Sequence, residues 1–228
     1  MKSCVIIPAR GGSKRIPRKN IRNFCGKPML AWSIEAALAC PEVDEVVVST
    51  DDEIIAEVAL HHGAKIPFLR PQSLADDYTG TIPVIRHAIE VLAQQGKFPE
   101  QVCCLYATAP FVTPEHLSQA YTKQLISLHR FTFSATHYRY SPYRAMIRSG
   151  EGVAMLFPEH WNTRSQDLPE VLHDAGMFYW GQREAWLEDE VLFGKEAAPY
   201  LLPHYLVQDI DTEDDWIRAE LIWQAQRT

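Results

Sequence analysis

Short, continuous apolar runs alternate along this chain with longer stretches in which apolar positions recur every three or four residues. Residues 4–7, 46–50 and 102–106 are mostly apolar and rich in β-branched and aliphatic side chains, the pattern of strands buried on both faces. Between and after them, residues 28–38, 53–62, Thr81 to about 95, and 114–128 carry helical periodicity. Pro28 stands near the first turn of the first helix, where a missing N–H costs nothing. Strands alternating with helices of this length predict βαβ units and an α/β fold with a mostly parallel sheet.

From residue 131 the texture changes. Residues 131–136 read as a strand, 137–144 are aromatic and cationic, and 147–155 read as a hairpin. Such a segment suits a subunit interface or a ligand clamp, and equally an ordinary surface hairpin. No repeat, low-complexity tract or long linker breaks the order, so residues 1–228 are expected to form one domain with a projecting segment at about 131–160.

The chemistry concentrates just after strand ends. The first strand runs into Arg10-Gly11-Gly12-Ser13-Lys14-Arg15, with Arg18 and Lys19 close behind. Small residues let backbone amides approach an anion, and clustered cations compensate its charge. The spacing is neither that of a P-loop nor that of a dinucleotide fingerprint. In a chain of formal net charge −7, five cations in one loop point to a polyphosphate, with a solvated surface loop as the alternative. Asp51-Asp52 precedes a helix and supplies a cap from at least one of its members. Asp209-Ile210-Asp211 follows an apolar run. Residues two apart in an extended segment face one side, so both carboxylates can address one divalent cation. Thr212 is the candidate N-cap of a last helix, and the acids at 213–215 suit its N-terminus.

Composition narrows the rest. An acidic chain argues against nucleic acid as main partner, and no stretch approaches the ~20 apolar residues of a membrane span. Five scattered cysteines fit neither a disulfide framework nor a zinc site, and a reducing cytoplasm is expected. The nine histidines show no metal-ligand spacing, and there is no G-x-S-x-G elbow for a serine hydrolase.

Residues 8–14 with Arg18-Lys19-Asn20 resemble the signature of the CMP-sialic acid synthetases. The resemblance continues through Gly26-Lys27-Pro28, residues 48–52, Arg70-Pro71, Asp77 with Thr81, Thr108-Ala109-Pro110, residues 166–169, Gly176 with Tyr179, and residues 209–212. It implies a Rossmann-like nucleotidyltransferase fold, Mg²⁺, and coupling of CTP to a nine-carbon 2-keto sugar acid. It also implies a homodimer formed through the projecting segment, with Arg139, Tyr143 or Arg144 near the neighbour's pocket.

Carried over by position, Arg10, Gly11, Ser13 and Lys19 hold the triphosphate, with Arg10 and Lys19 catalytic. Asn20, Arg70 and Thr81 hold the cytidine. Tyr106, Tyr179 and Phe193 line the sugar pocket with Gln166 nearby, and Asp209 and Asp211 bind Mg²⁺. Residues 76–81, 105–111 and 162–169 with 173–176 look like the branch that takes pseudaminic acid. The sialic acid enzymes have Gln at the Tyr106 position and Asn-Gly where this chain has Ala175-Gly176. N-acetylneuraminate or legionaminate synthesis, and a nucleotide-binding module without catalysis, are the competing readings.

Overall fold

The computed structural model describes residues 1–127, 129–188 and 192–226. β1 (Ser3–Pro8) enters a loop that holds the short hairpin β2 (Asn23–Phe24) and β3 (Lys27–Pro28) and leads to α1 (Met29–Leu38). Then come β4 (Glu45–Ser49), α2 (Glu53–His61), α3 (Thr81–Gln94), β5 (Gln101–Leu105) and α4 (Pro114–Ile126). Position 128, the expected end of α4, lies outside the described residues. β6 (Phe131–His137), the hairpin β7 (Met146–Ser149) and β8 (Gly152–Met155), β9 (Leu172–Gln182), α5 (Arg183–Leu187), β10 (Ala197–Leu201) and α6 (Glu213–Ala225) complete the chain.

The main sheet has the order β10-β6-β9-β5-β1-β4. β1 lies parallel to both β4 and β5, and β6 parallel to β10. β9 runs antiparallel between β5 and β6 and is the one reversed strand of this sheet. Side chains alternate across the sheet as the pleat requires. Val5, Ile7, Val46, Val48 and Leu105 face α1, α4 and α6, with Leu30, Ile34, Leu117 and Trp216. Cys4, Ile6, Val47, Val102 and Cys104 face α3 and α5, with Ile85, Ile89, Leu92 and Trp186. Two covered faces explain why the strands carry no polar alternation.

Two expectations need correction. Residues 131–137 belong to the central sheet as β6, so they are not part of a segment outside it. The run before Asp209 is a single 3-10 turn, His204–Leu206, followed by irregular chain, so Asp209 and Asp211 do not lie at a strand end. β9 has no counterpart among the strands expected from the sequence, although it bridges the two halves of the sheet. Its periodicity is broken by a bulge. Phe133 pairs with Tyr179 but Ala135 pairs with Asp174, so the β9 strand carries extra residues there. The buried Ser134 hydroxyl fills the gap, accepting from the amides of Met177 at 3.2 Å and Phe178 at 3.1 Å. Ser134→Ala leaves these buried amides without that acceptor, and the expected cost is about 1–3 kcal/mol. Chemical denaturation measures it, and an unchanged midpoint would show that the bulge does not need the hydroxyl.

Candidate active site

A cavity of about 540 Å³ opens where β1 and β5 end, lined by the basic loop on one side and by Arg70, Thr81 and Tyr106 on the other. Ligands of open α/β sheets sit at such carboxyl ends. The loop's cations do not stand free there. Arg10 donates to the Asp76 carbonyl at 2.5 Å and pairs with Asp77 at 2.8 Å, and Lys14 also pairs with Asp77. Arg15 reaches Asp211 at 2.8 Å, and Arg18 reaches Asp52 at 2.5 Å. Lys19, mostly buried, donates to the Ile210 carbonyl at 2.7 Å and lies 3.3 Å from Asp211. The loop is thus tied to the segment before α3, to α2 and to the segment before α6.

The Asp51-Asp52 pair divides its work. Asp52 caps α2, accepting from Ile54 and Ile55 at 3.0 Å each. Burial alone would raise its pKa, but the Ile55 amide, the Arg18 guanidinium and the Ile54 amide hold it below the usual value. Asp51 accepts from the Gly11 amide at 3.0 Å. A Cβ on Gly11 would come within 2.7 Å of the Asp52 carboxylate, so glycine is needed there for close approach. In this structure Gly11 presents its amide to Asp51 rather than to the cavity.

Other sequence-chosen residues have structural partners as well as cavity exposure. Ser13 donates to the Ile16 carbonyl at 2.6 Å, and Asn20 donates to the Arg10 carbonyl at 3.0 Å. Arg70 is buried and donates to the Ser49 hydroxyl at 3.1 Å, to the Ser49 carbonyl and to the Leu74 carbonyl. Burial lowers its pKa, with the charge of Asp51 opposing. Ser13, Lys19, Asn20, Arg70 and Thr81 all line the cavity.

At the far end, Thr81 and Tyr106 share a hydrogen bond of 2.9 Å between their hydroxyls. Tyr106 packs on Tyr179 with ring centroids 5.6 Å apart, and Tyr179 on Phe193 at 6.3 Å. These three aromatics do converge, but Tyr179 is 2% exposed and backs Tyr106 rather than lining the cavity. Gln166 does not join them. It sits exposed on a 3-10 turn, Ser165–Asp167, and is not among the residues lining the cavity.

Asp209 and Asp211 flank the buried Ile210 and line a second cavity of about 490 Å³ together with Arg139. Partial desolvation, and then the charge of Asp211, raise the Asp209 pKa. Among the described residues no group of three His, Cys, Asp or Glu side chains could hold a metal. Two hard carboxylates that repel one another make the partial shell that Mg²⁺ completes with phosphates and water, so the residues fit such an ion. Lys19 joins the two cavities, because it lines the first and contacts Asp211.

Arg144 and Tyr143 serve the projecting segment itself. Arg144 donates to the carbonyls of His160, Trp161 and Thr163, and Tyr143 packs on Phe157 and His160. Asp51, Asp77 and Asp174 were not singled out as site residues from the sequence. Asp51 and Asp77 pair with residues far along the chain, which no local pattern carries, and Asp174 meets Tyr179 only through the β9 bulge.

The fold and this cavity define an α/β protein with a cation-lined cavity beyond the ends of its parallel strands. The profile of the cytidylyltransferase family matches residues 4–206. The chain is 48% identical to a pseudaminic acid cytidylyltransferase of Campylobacter jejuni over 99% of this chain and 97% of that protein. It is 31% identical to a CMP-N,N'-diacetyllegionaminic acid synthase of Legionella pneumophila over 100% of this chain and 98% of that one. A solved CMP:2-keto-3-deoxy-manno-octonic acid synthetase complexed with CTP superposes with a TM-score of 0.71 at 17% identity, covering all of both chains. That likeness shows a shared fold. The chain belongs to the cytidylyltransferase family and is a nucleotidyltransferase.

Proposed function

We propose that this cytidylyltransferase couples CTP to pseudaminic acid, giving CMP-pseudaminic acid and pyrophosphate. The observation that carries the reading is one cavity with cations at one end and Tyr106, backed by Tyr179 and Phe193, at the other. The full-length similarity to the Campylobacter jejuni enzyme supports the choice of sugar.

The anomeric 2-hydroxyl attacks the α-phosphorus as the bond to the β-phosphate oxygen breaks. Arg10, Ser13 and Lys19 hold the triphosphate, Gly11 allows the loop its close approach, and Asn20, Arg70 and Thr81 hold the cytidine. The triphosphate takes Arg10 and Lys14 from Asp77, exchanging one anionic partner for another. Lys19 lies between the cavity and Asp211, placed to counter charge on the α-phosphate oxygens as it develops. Mg²⁺, when held by Asp209 and Asp211, supplies charge neutralisation and orientation of the phosphates.

Exposed Met146, Val153, Tyr140 and Trp161, at 63%, 66%, 77% and 69%, leave the projecting segment with an apolar surface suited to a second copy of the chain. A homodimer is the expected assembly, and Gln166 would then reach a sugar pocket from the neighbouring copy. Light scattering at working concentration should report a dimer. A fully active monomer would remove this part of the reading.

Lys19→Ala should lower turnover by about 10²-fold, as for loss of a preorganised charge. Asp209→Asn should reduce activity severely and weaken the Mg²⁺ dependence while the melting temperature stays near that of the unsubstituted protein. Near-normal turnover in either folded variant would dismiss the role of that residue.

Selectivity gives the sharpest test. A phenol at position 106 has one hydroxyl and a broad apolar face, and cannot offer the paired donor and acceptor of an amide. With CTP and Mg²⁺, kcat/KM should be far higher for pseudaminic acid than for N-acetylneuraminic or legionaminic acid. Tyr106→Gln should erode that preference chiefly by losing pseudaminic acid. Mass spectrometry of the CMP-sugar formed decides it, and comparable kcat/KM values for the three sugars in the unsubstituted enzyme would refute the assignment.

A further inference from the structure

The larger cavity already holds an anion of the chain's own. Arg10, Lys14, Arg15, Lys19 and Arg70 line it, and among the described residues Asp77 is the one carboxylate that lines it with them. Asp77 pairs with Arg10 at 2.8 Å and with Lys14. The acids that answer Arg15, Lys19 and Arg18, namely Asp211 and Asp52, are not part of this lining.

The turn around Asp77 fixes its approach. Asp76 Oδ1 accepts from the amides of Tyr78 at 2.9 Å and Thr79 at 2.7 Å, and from the Thr79 hydroxyl at 2.8 Å. The Asp76 carbonyl accepts from Arg10 at 2.5 Å, so Arg10 meets both the backbone and the carboxylate of this turn. Lys14, and then Arg10, hold the Asp77 pKa below the usual carboxylate value, and the group is charged at neutral pH.

A carboxylate so placed occupies the donors that a phosphate uses. Ion pairs of this exposure are weak, so a ligand that meets both cations displaces Asp77, and Asp77 returns to them when that ligand lets go. Only ligand groups that reach Arg10 and Lys14 take part in this contest. Lys19 contacts Asp211 instead of Asp77 and stands outside it.

We propose that Asp77 is an internal competitor for the pyrophosphate end of the site, a specificity-determining residue that loosens the hold on the β- and γ-phosphates and so speeds the departure of pyrophosphate. The inference rests on the reading of this cavity as the triphosphate site, with the α-phosphate at Lys19. CTP is weakened by the same factor as pyrophosphate, whereas CMP, which has neither the β- nor the γ-phosphate, is not.

Calorimetric titrations of the full chain with pyrophosphate, CTP and CMP, each with Mg²⁺, test this in Asp77→Asn, Asp77→Glu and the unsubstituted protein. Removing the charge should lower Kd for pyrophosphate and for CTP about fivefold, the scale of two exposed ion pairs. Kd for CMP should stay within about twofold, and pyrophosphate should inhibit turnover at a correspondingly lower concentration. Asp77→Glu keeps the charge and should stay within about twofold of the unsubstituted protein for all three ligands. In a Lys14→Ala background the gain from Asp77→Asn should shrink, because one of the two contested cations is gone. Unchanged pyrophosphate binding in Asp77→Asn overturns the inference, and so does weaker binding, which would mark Asp77 as a support for the loop. Equal tightening of all three ligands also overturns it, since that is a change of overall charge and not a contest for two side chains. If the unsubstituted protein binds neither CTP nor pyrophosphate, the reading of the cavity falls and takes this inference with it. If it binds both and Asp77→Asn matches it, only the inference falls.

Discussion

The geometry of the site depends on how the positive charge of residues 10–22 is compensated. Six cations cluster there, and four carboxylate residues answer them from distant parts of the chain: Asp77 with Arg10 and Lys14, Asp52 with Arg18, Asp211 with Arg15 and Lys19, and Glu213 with Arg22. Most of these pairs are partly exposed, and pairs of that kind contribute little stability each. Their effect is positional. They draw the segment before α3, the start of α2 and the start of α6 around one cavity. They also hold the cations in place around it.

The opposite wall follows a different constraint. β9 enters the sheet antiparallel between two parallel groups and must pair on both sides. Its bulge satisfies β6 through Ser134 and β5 through the Met177 carbonyl, and leaves Tyr179 and Asp174 on one side of the sheet. Bulges re-aim side chains next to functional sites, and here one sets the aromatic and hydroxyl end of the cavity. The cavity is thus electrostatic on the loop side and shaped by backbone pairing on the other.

The start of the site was legible because its signals are local. A buried strand, a glycine, a run of cations and a capping aspartate lie close together in sequence, and β1, β4 and β5 appear with ends within a residue or two of those expected. Thr212 does cap α6, in a capping box with Asp215. Asp51 was harder to place, since capping and loop support look alike in sequence and only Asp52 caps. Gly11 looked like a phosphate ligand because glycine loops often are. Here its small size is required by the approach of Asp52.

By itself the sequence determined the alternation of strands and helices, the basic loop, the Asp209-Ile210-Asp211 acids and the family. All of these are written in neighbouring residues, where hydrophobic period and side-chain chemistry act directly. Only the tertiary structure decided which carboxylate faces which cation, that residues 131–137 join the sheet, that Gln166 stands away from the cavity of its own chain, and that Tyr179 backs Tyr106. Those outcomes depend on pairing between segments far apart in sequence. The bulge in β9 interrupts the very period by which a strand is recognised, so its consequences for Asp174 become visible only once β5 and β6 lie on either side.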